Sequence, residues 1–301
     1  METNLSRRGF LTGAAAAGAL AAMGLAGCAP TPAAEGSTKT AETGTAATSW
    51  RDKPEMPTEF VETVDADIVV VGAGNGGLVA ATTAAQNGAK VVVLEKAGAI
   101  AAAREAIGAL NSKLAPDHQE DVPTLLNHAN QTQSGDANML MYKTWAEKSG
   151  EMIEWMADTL GPKGMLFPFE WHCPDDPHAY YPAMCYNPCI GEYNPDGPNY
   201  NSYAHLEVMR DVFTDDLGGE IRFECPAQQL VIDESGRVTG VVAEGKEGFI
   251  QVNAAKGVII CTGGYGANNE MLADLAPGNS AWCALRDSVT ETGDGIRMAL
   301  W

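Results

Sequence analysis

The chain has 301 residues, 45% of them hydrophobic, and its 39 Asp and Glu outnumber its 19 Lys and Arg for a formal net charge of −20. That balance argues against a nucleic-acid partner, because neutralising phosphates needs a basic patch. It fits equally a solvated acidic surface and one that attracts a basic redox partner.

Residues 1–27 read as an export signal outside the fold. Ser6-Arg7-Arg8-Gly9-Phe10-Leu11 is a twin-arginine pattern, and the Ala/Gly-rich run after it is too short and too weakly apolar for a stable membrane span. Leu25-Ala26-Gly27-Cys28 resembles a bacterial lipoprotein cleavage box, which would make Cys28 a lipidated membrane anchor; ordinary cleavage with Cys28 idle is the alternative. Losing this segment removes Arg7, Arg8 and Glu2, which takes the net charge from −20 to −21. Residues 28–64 then read as a flexible tether, rich in Thr, Ala, Pro, Glu and Gly, with Trp50 and Phe60 its only aromatic groups. The roughly 235 residues from Asp65 onward suffice for one domain with a sizeable core.

The domain opens on a strand, tight turn, helix and strand between Ala66 and Lys96. Ile68 to Val71 is an apolar run of the kind buried on both faces of a sheet. Gly72, Gly74 and Gly77 follow as G-x-G-x-x-G. The first suits a tight turn, the second lets a pyrophosphate approach the backbone, and the third lets helix and strand pack closely. The phosphates would sit at the positive end of a helix beginning near Gly76. Lys90 to Leu94 is the next strand, and Glu95 ends it 95 − 72 = 23 positions after the first Gly, where an acid binds a ribose hydroxyl. The motif points to a dinucleotide without choosing FAD or NAD; a glycine-rich turn in an unrelated α/β domain is the competing reading.

Further along, a helix is expected from Asp136, its start capped by that residue and its end closed by Gly161. Leu140, Met141, Trp145, Met152, Trp155, Met156 and Leu160 recur at helical spacing, as core packing would require. Gly161 to Asn201 is rich in Pro and loops. Between His172 and Cys189, 18 positions inclusive, it also holds Cys173, Asp175, Asp176, His178 and Cys185. Their spacing matches no zinc or haem pattern, so no metal site is expected; a disulfide stays open, since export permits one. A second helix is expected from about Ser202 to Leu217, ending at Gly218-Gly219. Strands follow at Ile221–Glu224, Gln229–Ile232, Val238–Val242, Gly248–Val252 and Gly257–Cys261, and a last helix at Ile296–Trp301. Cys225 and Cys261 fall in or beside apolar strands, where buried thiols are common. Hydrolase chemistry has little support: there is no G-x-S-x-G, no H-E-x-x-H and only five His.

Four segments in order resemble the FAD-dependent oxidoreductases of the fumarate reductase/succinate dehydrogenase flavoprotein type: GAGNGG at 72–77 with LEK at 94–96, CPAQQLVIDESGRVTGVV at 225–242, CTGGYGANNEM at 261–271, and TGDGIRMA at 292–299. The resemblance implies an α/β fold, a Rossmann-like FAD-binding domain over 65–301 with parallel sheet plus β-meander and a helical and loop insertion over about 103–218. It favours FAD over NAD. It also implies that Gly72, Ala73, Gly74, Asn75, Gly76 and Gly77 face the pyrophosphate. Glu95 would bind the adenosine ribose with Lys96 beside it. Ala227 would meet the adenine through its backbone, Thr262, Gly263 and Gly264 would line the adenine side, and Asp294 would lie along the flavin-bearing half. The family's G-G-N-[ST] turn is replaced by Ala97–Arg104, so Arg104 is the candidate for its phosphate contact.

In that family the substrate-capping domain and the His and Arg that bind substrate and deliver the proton follow T-G-D-G, whereas this sequence ends 301 − 294 = 7 residues past Asp294. A piece of a longer enzyme is therefore expected. The implied activity is reduction of activated C=C bonds in a small-molecule substrate, with electrons from an external cytochrome or flavoprotein and membrane attachment through Cys28. A 3-ketosteroid-dehydrogenase-like enzyme is the alternative within the class, and a non-catalytic FAD-binding remnant or metal-binding lipoprotein the alternative outside it.

Overall fold

The structure, a computed structural model, describes residues 49–100, 107–132, 138–172, 183–191, 204–278 and 290–301. The twin-arginine pattern, Cys28, Arg104, Asp136 and residues 173–182 of the His/Cys/Asp-rich loop lie outside the described residues. Among the described residues no helix is long and apolar enough to cross a membrane.

The apolar runs of the sequence assemble one six-stranded sheet. β1 (Glu62–Val71) and β2 (Val91–Leu94) are parallel neighbours, with Ile68 beside Val91 and Val71 beside Leu94. β8 (Glu220–Arg222) adds to β2 in parallel. On the other side of β1 lies β11 (Gly248–Ile260), also parallel, and beyond it β10 (Val238–Gly245) and β9 (Ala227–Ile232) run antiparallel as a meander. The order is β8-β2-β1-β11-β10-β9.

Alternation along β1 and β2 explains why both read as unbroken apolar runs. Val70, Val91 and Val93 face one core with the helices; Val69, Val71, Val92 and Leu94 face a second core with Leu230, Val241, Ile250 and Val252 of the meander. The sheet curls so that the meander covers its own parallel part. Arg222, in register with Leu94, thereby reaches Glu62 at the far end of β1, with Nη1 2.5 Å from Oε2 and Nη2 2.9 Å from Oε1. The hydrogen bond from Arg222 holds the Glu62 carboxyl below its ordinary pKa.

On the helical face, α1 (Asn75–Gln86) follows β1. α2 (Val122–Thr132) lies against α3 (Met139–Leu160), and α4 (His205–Asp211) runs on into a π-helical turn, Val212–Asp216. Short strands β3 (Ile107–Gly108), β5 (Phe169–His172) and β6 (Ala183–Tyr186) form a three-stranded sheet in the order β3-β6-β5, and β4 (Met165–Leu166) pairs with β7 (Cys189–Ile190). α5 (Asn269–Leu275) and α6 (Asp294–Leu300) follow β11.

Four expectations are corrected. β1 starts at Glu62, because its first half, which pairs on one side only, with β11, alternates polar residues with Val64 and Ala66 in place of an unbroken apolar run. The two strands expected at 248–252 and 257–261 are one: β1 pairs along nearly all of it, and Asp65 accepts from Asn253 Nδ2 at 2.7 Å across the polar middle. α3 starts with Asn138 as its cap, whose side chain accepts from Leu140 N; its expected end at Gly161 holds, with a 3₁₀ turn running on from there to Gly164, φ 87°. Finally, the large-residue stripe is not the buried face in the first half of α3. Leu140 and Met141 are 76% and 69% exposed, while Ala146, Ser149 and Gly150 are buried. A Cβ on Gly150 would stand 2.4 Å from the Leu110 carbonyl oxygen, so close backbone approach selects small residues there.

The segment before β1, expected as tether to residue 64, is seated on the domain from residue 49. Trp50 is 5% exposed; its backbone N–H donates to Glu270 and its Nε1 to Asp274 at 3.0 Å. Gln229 Nε2 donates to the Pro54 carbonyl at 2.7 Å.

Candidate dinucleotide site

The site is built where β1, β2 and β11 end. Gly72 has φ 102°, and a Cβ there would lie 2.3 Å from the Cys261 carbonyl oxygen; a Cβ on Gly77 would lie 1.8 Å from the Gly72 oxygen. These two glycines are therefore required by the crossing of the protein's own backbones. Gly74 is the N-cap of α1 in extended conformation and, being glycine, supplies no side-chain cap. The first intrahelical bond is Leu78 N to Gly74 O at 2.9 Å, so the N–H groups of Asn75, Gly76 and Gly77 precede it and are open to an anion. Asn75 and Gly76 are exposed.

Glu95 is 9% exposed at the end of β2. Its Oε2 accepts from Ala73 N and its Oε1 from Ala97 N, both at 2.8 Å. Each carboxylate oxygen keeps a further lone pair for a hydroxyl. Cys225 N donates to the Glu95 carbonyl at 2.9 Å, which brings the start of β9, and with it Ala227, to the same edge.

The T-G-G and T-G-D-G segments meet beside this edge. Gly295 N donates to Thr262 Oγ1 at 3.1 Å and Gly293 N to the Gly264 carbonyl at 3.1 Å. Gly263 has φ 71°. A Cβ on Gly295 would stand 2.3 Å from both Ile260 and Thr262, so the last glycine of T-G-D-G is a packing requirement. Lys96 Nζ donates to Asp294 Oδ2 at 2.7 Å and to Thr292 Oγ1 at 2.6 Å, and Arg297 Nη2 donates to Asp294 Oδ1 at 2.7 Å. Burial pushes the Asp294 carboxyl up, but Lys96, Thr292 and Arg297 outweigh it and the net shift is downward.

The residues expected from the motifs thus converge from four segments, and Asp294, nearly 200 positions from Lys96 in sequence, is its ion-pair partner (294 − 96 = 198). Sequence reasoning missed two members. Arg297 reads only as the basic end of a short helix. His205, 0% exposed on α4, places Nε2 3.1 Å from Asn75 Oδ1, and nothing in its neighbourhood marks it. Cavities of about 410 and 600 Å³ lie elsewhere, the first lined by α3 and the second by the meander edge around Arg222.

A strand–glycine loop–helix with an acid closing the second strand, and a meander on the opposite face, defines a dinucleotide-binding α/β protein. Residues 67–301 match the family described as FAD binding domain; the chain belongs to that family, and FAD is its dinucleotide. It is similar to digoxin reductase of Eggerthella lenta, 29% identical over 323 residues that cover 99% of this chain and 54% of the relative. A probable fumarate reductase of Shewanella frigidimarina is 25% identical over 238 residues, 77% of this chain and 38% of the relative. Among solved structures, a flavocytochrome c3 fumarate reductase in its open conformation shares the fold, with TM-score 0.61 and 22% identity over 84% of this chain and 44% of that one. The chain spans about half or less of the length of these proteins.

Proposed function

We propose that this chain is the FAD-binding part of an exported reductase that adds a hydride and a proton to an activated C=C bond of a small molecule. The observation that carries the reading is the convergence of a helix start at Gly74, the buried Glu95 carboxylate and the T-G-D-G helix on one edge of the sheet. These residues fit FAD. The N–H groups at Asn75–Gly77 would take the pyrophosphate charge, and Glu95 would accept from the adenosine ribose. Ala227, Thr262, Gly263 and Gly264 would line the adenosine side, and Asp294, held by Lys96, would face the flavin-bearing half.

Bound FAD supplies hydride transfer. This chain's own part is to hold that group and orient it. The residues that protonate the substrate are assigned to the remainder of the longer protein. Export by the twin-arginine route, anchoring through a lipid on Cys28 and an external cytochrome or flavoprotein donor complete the proposal. The similarity to digoxin reductase, which extends over 99% of the chain, supports reading the N-terminal segment and the domain as parts of one protein.

The test is to purify the chain and the longer protein and measure bound flavin. Co-purification of FAD is expected, as is oxidation of a reduced dye by the longer protein when an enoate is added. Absence of flavin binding, or dye oxidation with no member of a panel of dicarboxylic, imidazole-bearing and steroid enones, would overturn the reading.

A further inference from the structure

We propose that His205 is a positioning residue for the phosphate loop, fixing the Asn75 side-chain amide so that its Nδ2H2 group turns toward the anion received by α1. The inference rests on the FAD reading above. Asn75 is the first residue of α1, directly after the uncapped Gly74, and it is exposed. Its Oδ1, however, is turned inward, 3.1 Å from Nε2 of His205, which is 0% exposed. An amide oxygen only accepts, so this contact places the imidazole proton on Nε2.

The two ends of a carboxamide diverge. With Oδ1 tied to a buried donor, the Nδ2H2 group is the end that faces outward. It adds side-chain N–H donors to the backbone N–H groups of a helix start whose cap supplies none. Turned the other way, the amide would present its oxygen to the phosphates, two like poles, and the imidazole would have to carry its proton on Nδ1 for Nε2 to accept from Nδ2.

α4 holds the imidazole rigidly. Leu206 and Met209 flank it, 1% and 0% exposed, in the core that also contains Leu78 and Ala81 of α1. The middle segment of the chain, which supplies no residue of the dinucleotide motif, thereby sets the polarity of a side chain inside the motif.

The experiment compares FAD affinity of the purified chain with that of H205Q and H205M, which are similar in length and differ in the donor, and of N75A and N75A/H205M. ADP and adenosine serve as competitors with and without the phosphates. H205M is expected to weaken FAD and ADP about tenfold, the loss of one hydrogen bond to a charged group. Adenosine binding should be unchanged, H205Q should stay near wild type, and H205M should add nothing in the N75A background.

Unaltered FAD affinity in H205M, equal losses for ADP and adenosine, or an H205M effect of full size in N75A would each overturn the proposal. Where H205M does not fold, the imidazole ¹⁵N spectrum of the unmutated chain decides. An Nε2–H tautomer whose signal moves on adding ADP supports the assignment, and an Nδ1–H tautomer overturns it. If the unmutated chain binds no FAD, the functional reading falls and this inference with it; if it binds FAD and H205M binds equally well, this inference falls alone.

Discussion

A methyl group on Gly77 would sit 1.8 Å from the carbonyl oxygen of Gly72, which is itself pressed against Cys261 at the end of β11. Neither backbone can retreat without unseating α1 or parting β1 from β11. Gly77→Ala is therefore expected to destabilise the domain by about 3 kcal/mol or more, at the upper end of the overpacking range. The midpoint of urea unfolding measures it; a shift within the scatter of surface substitutions would show that the turn can move. Gly88, which also has positive φ but would have nothing within 4 Å of an added Cβ, is the control for backbone strain without a clash. At this scale Gly72 and Gly77 of the G-x-G-x-x-G motif were legible as backbone requirements, because each is fixed by a close contact within the protein. His205 was not legible, since a buried histidine on a helix has no pattern that distinguishes packing from positioning.

Among the elements, α6 depends most on charge. Asp294 begins it, and Lys96 and Arg297 converge on the carboxylate while Thr292 bonds it from outside the helix. Because the folded-state pKa lies below the ordinary 3.8, this group contributes stability that is fully present above that value and is lost as pH falls through the lower folded value. Asp294→Asn should therefore cost stability at neutral pH and progressively less below about pH 4. Denaturant titrations of both proteins at pH 7, 5 and 3.5 test this; a difference that stays constant or grows on acidification would contradict it. Strands were legible where both faces are apolar, as in β2, and illegible where a strand continues with one small apolar residue at a time among polar ones, as with Val64 in Glu62–Asp65 and Ala254 in Asn253–Lys256. Helix α3 was legible in existence and in the facing of its second half, where Met156 and Leu160 are buried, but not in its first half, where the buried positions are Ala146, Ser149 and Gly150, which hydrophobic periodicity does not count.

For the molecule as a whole, residues 49–55 act as a strap joining pieces distant in sequence. Trp50 and Arg51 bond Asp274 of α5, the Arg51 carbonyl accepts from Trp301 Nε1 at 3.1 Å, and Gln229 of β9 holds Pro54. Arg51 also lies over the Trp50 ring at 4.3 Å. Removing the ring should release all of these together. Trp50→Ala is expected to cost about 3 kcal/mol, and for a domain of this size that lowers the melting temperature by roughly 6–12 °C. An unchanged melting temperature would show that the strap is held by its backbone alone. The composition of residues 28–64 concealed this docking, since one buried Trp in a Thr/Pro/Glu-rich stretch changes its average character very little.

The central pairing of β1 with β11 sets a timetable for making this protein. Glu62 lies beside Ile250, so 250 − 62 = 188 residues must be added after Glu62 before its partner is made. At the usual pace of a ribosome that is an interval of roughly 10–40 s. Throughout it the β1 edge that β11 will cover has no mate, and the valines destined for the meander-side core face solvent or a chaperone. β1 can pair with β2 early, but the layer over their second face is complete only when the residues of β11 have left the ribosome. The domain therefore closes only after β11 has been made, and a nascent chain halted before residue 250 would expose Val69, Val71, Val92 and Leu94 as a ready binding site for holdase chaperones.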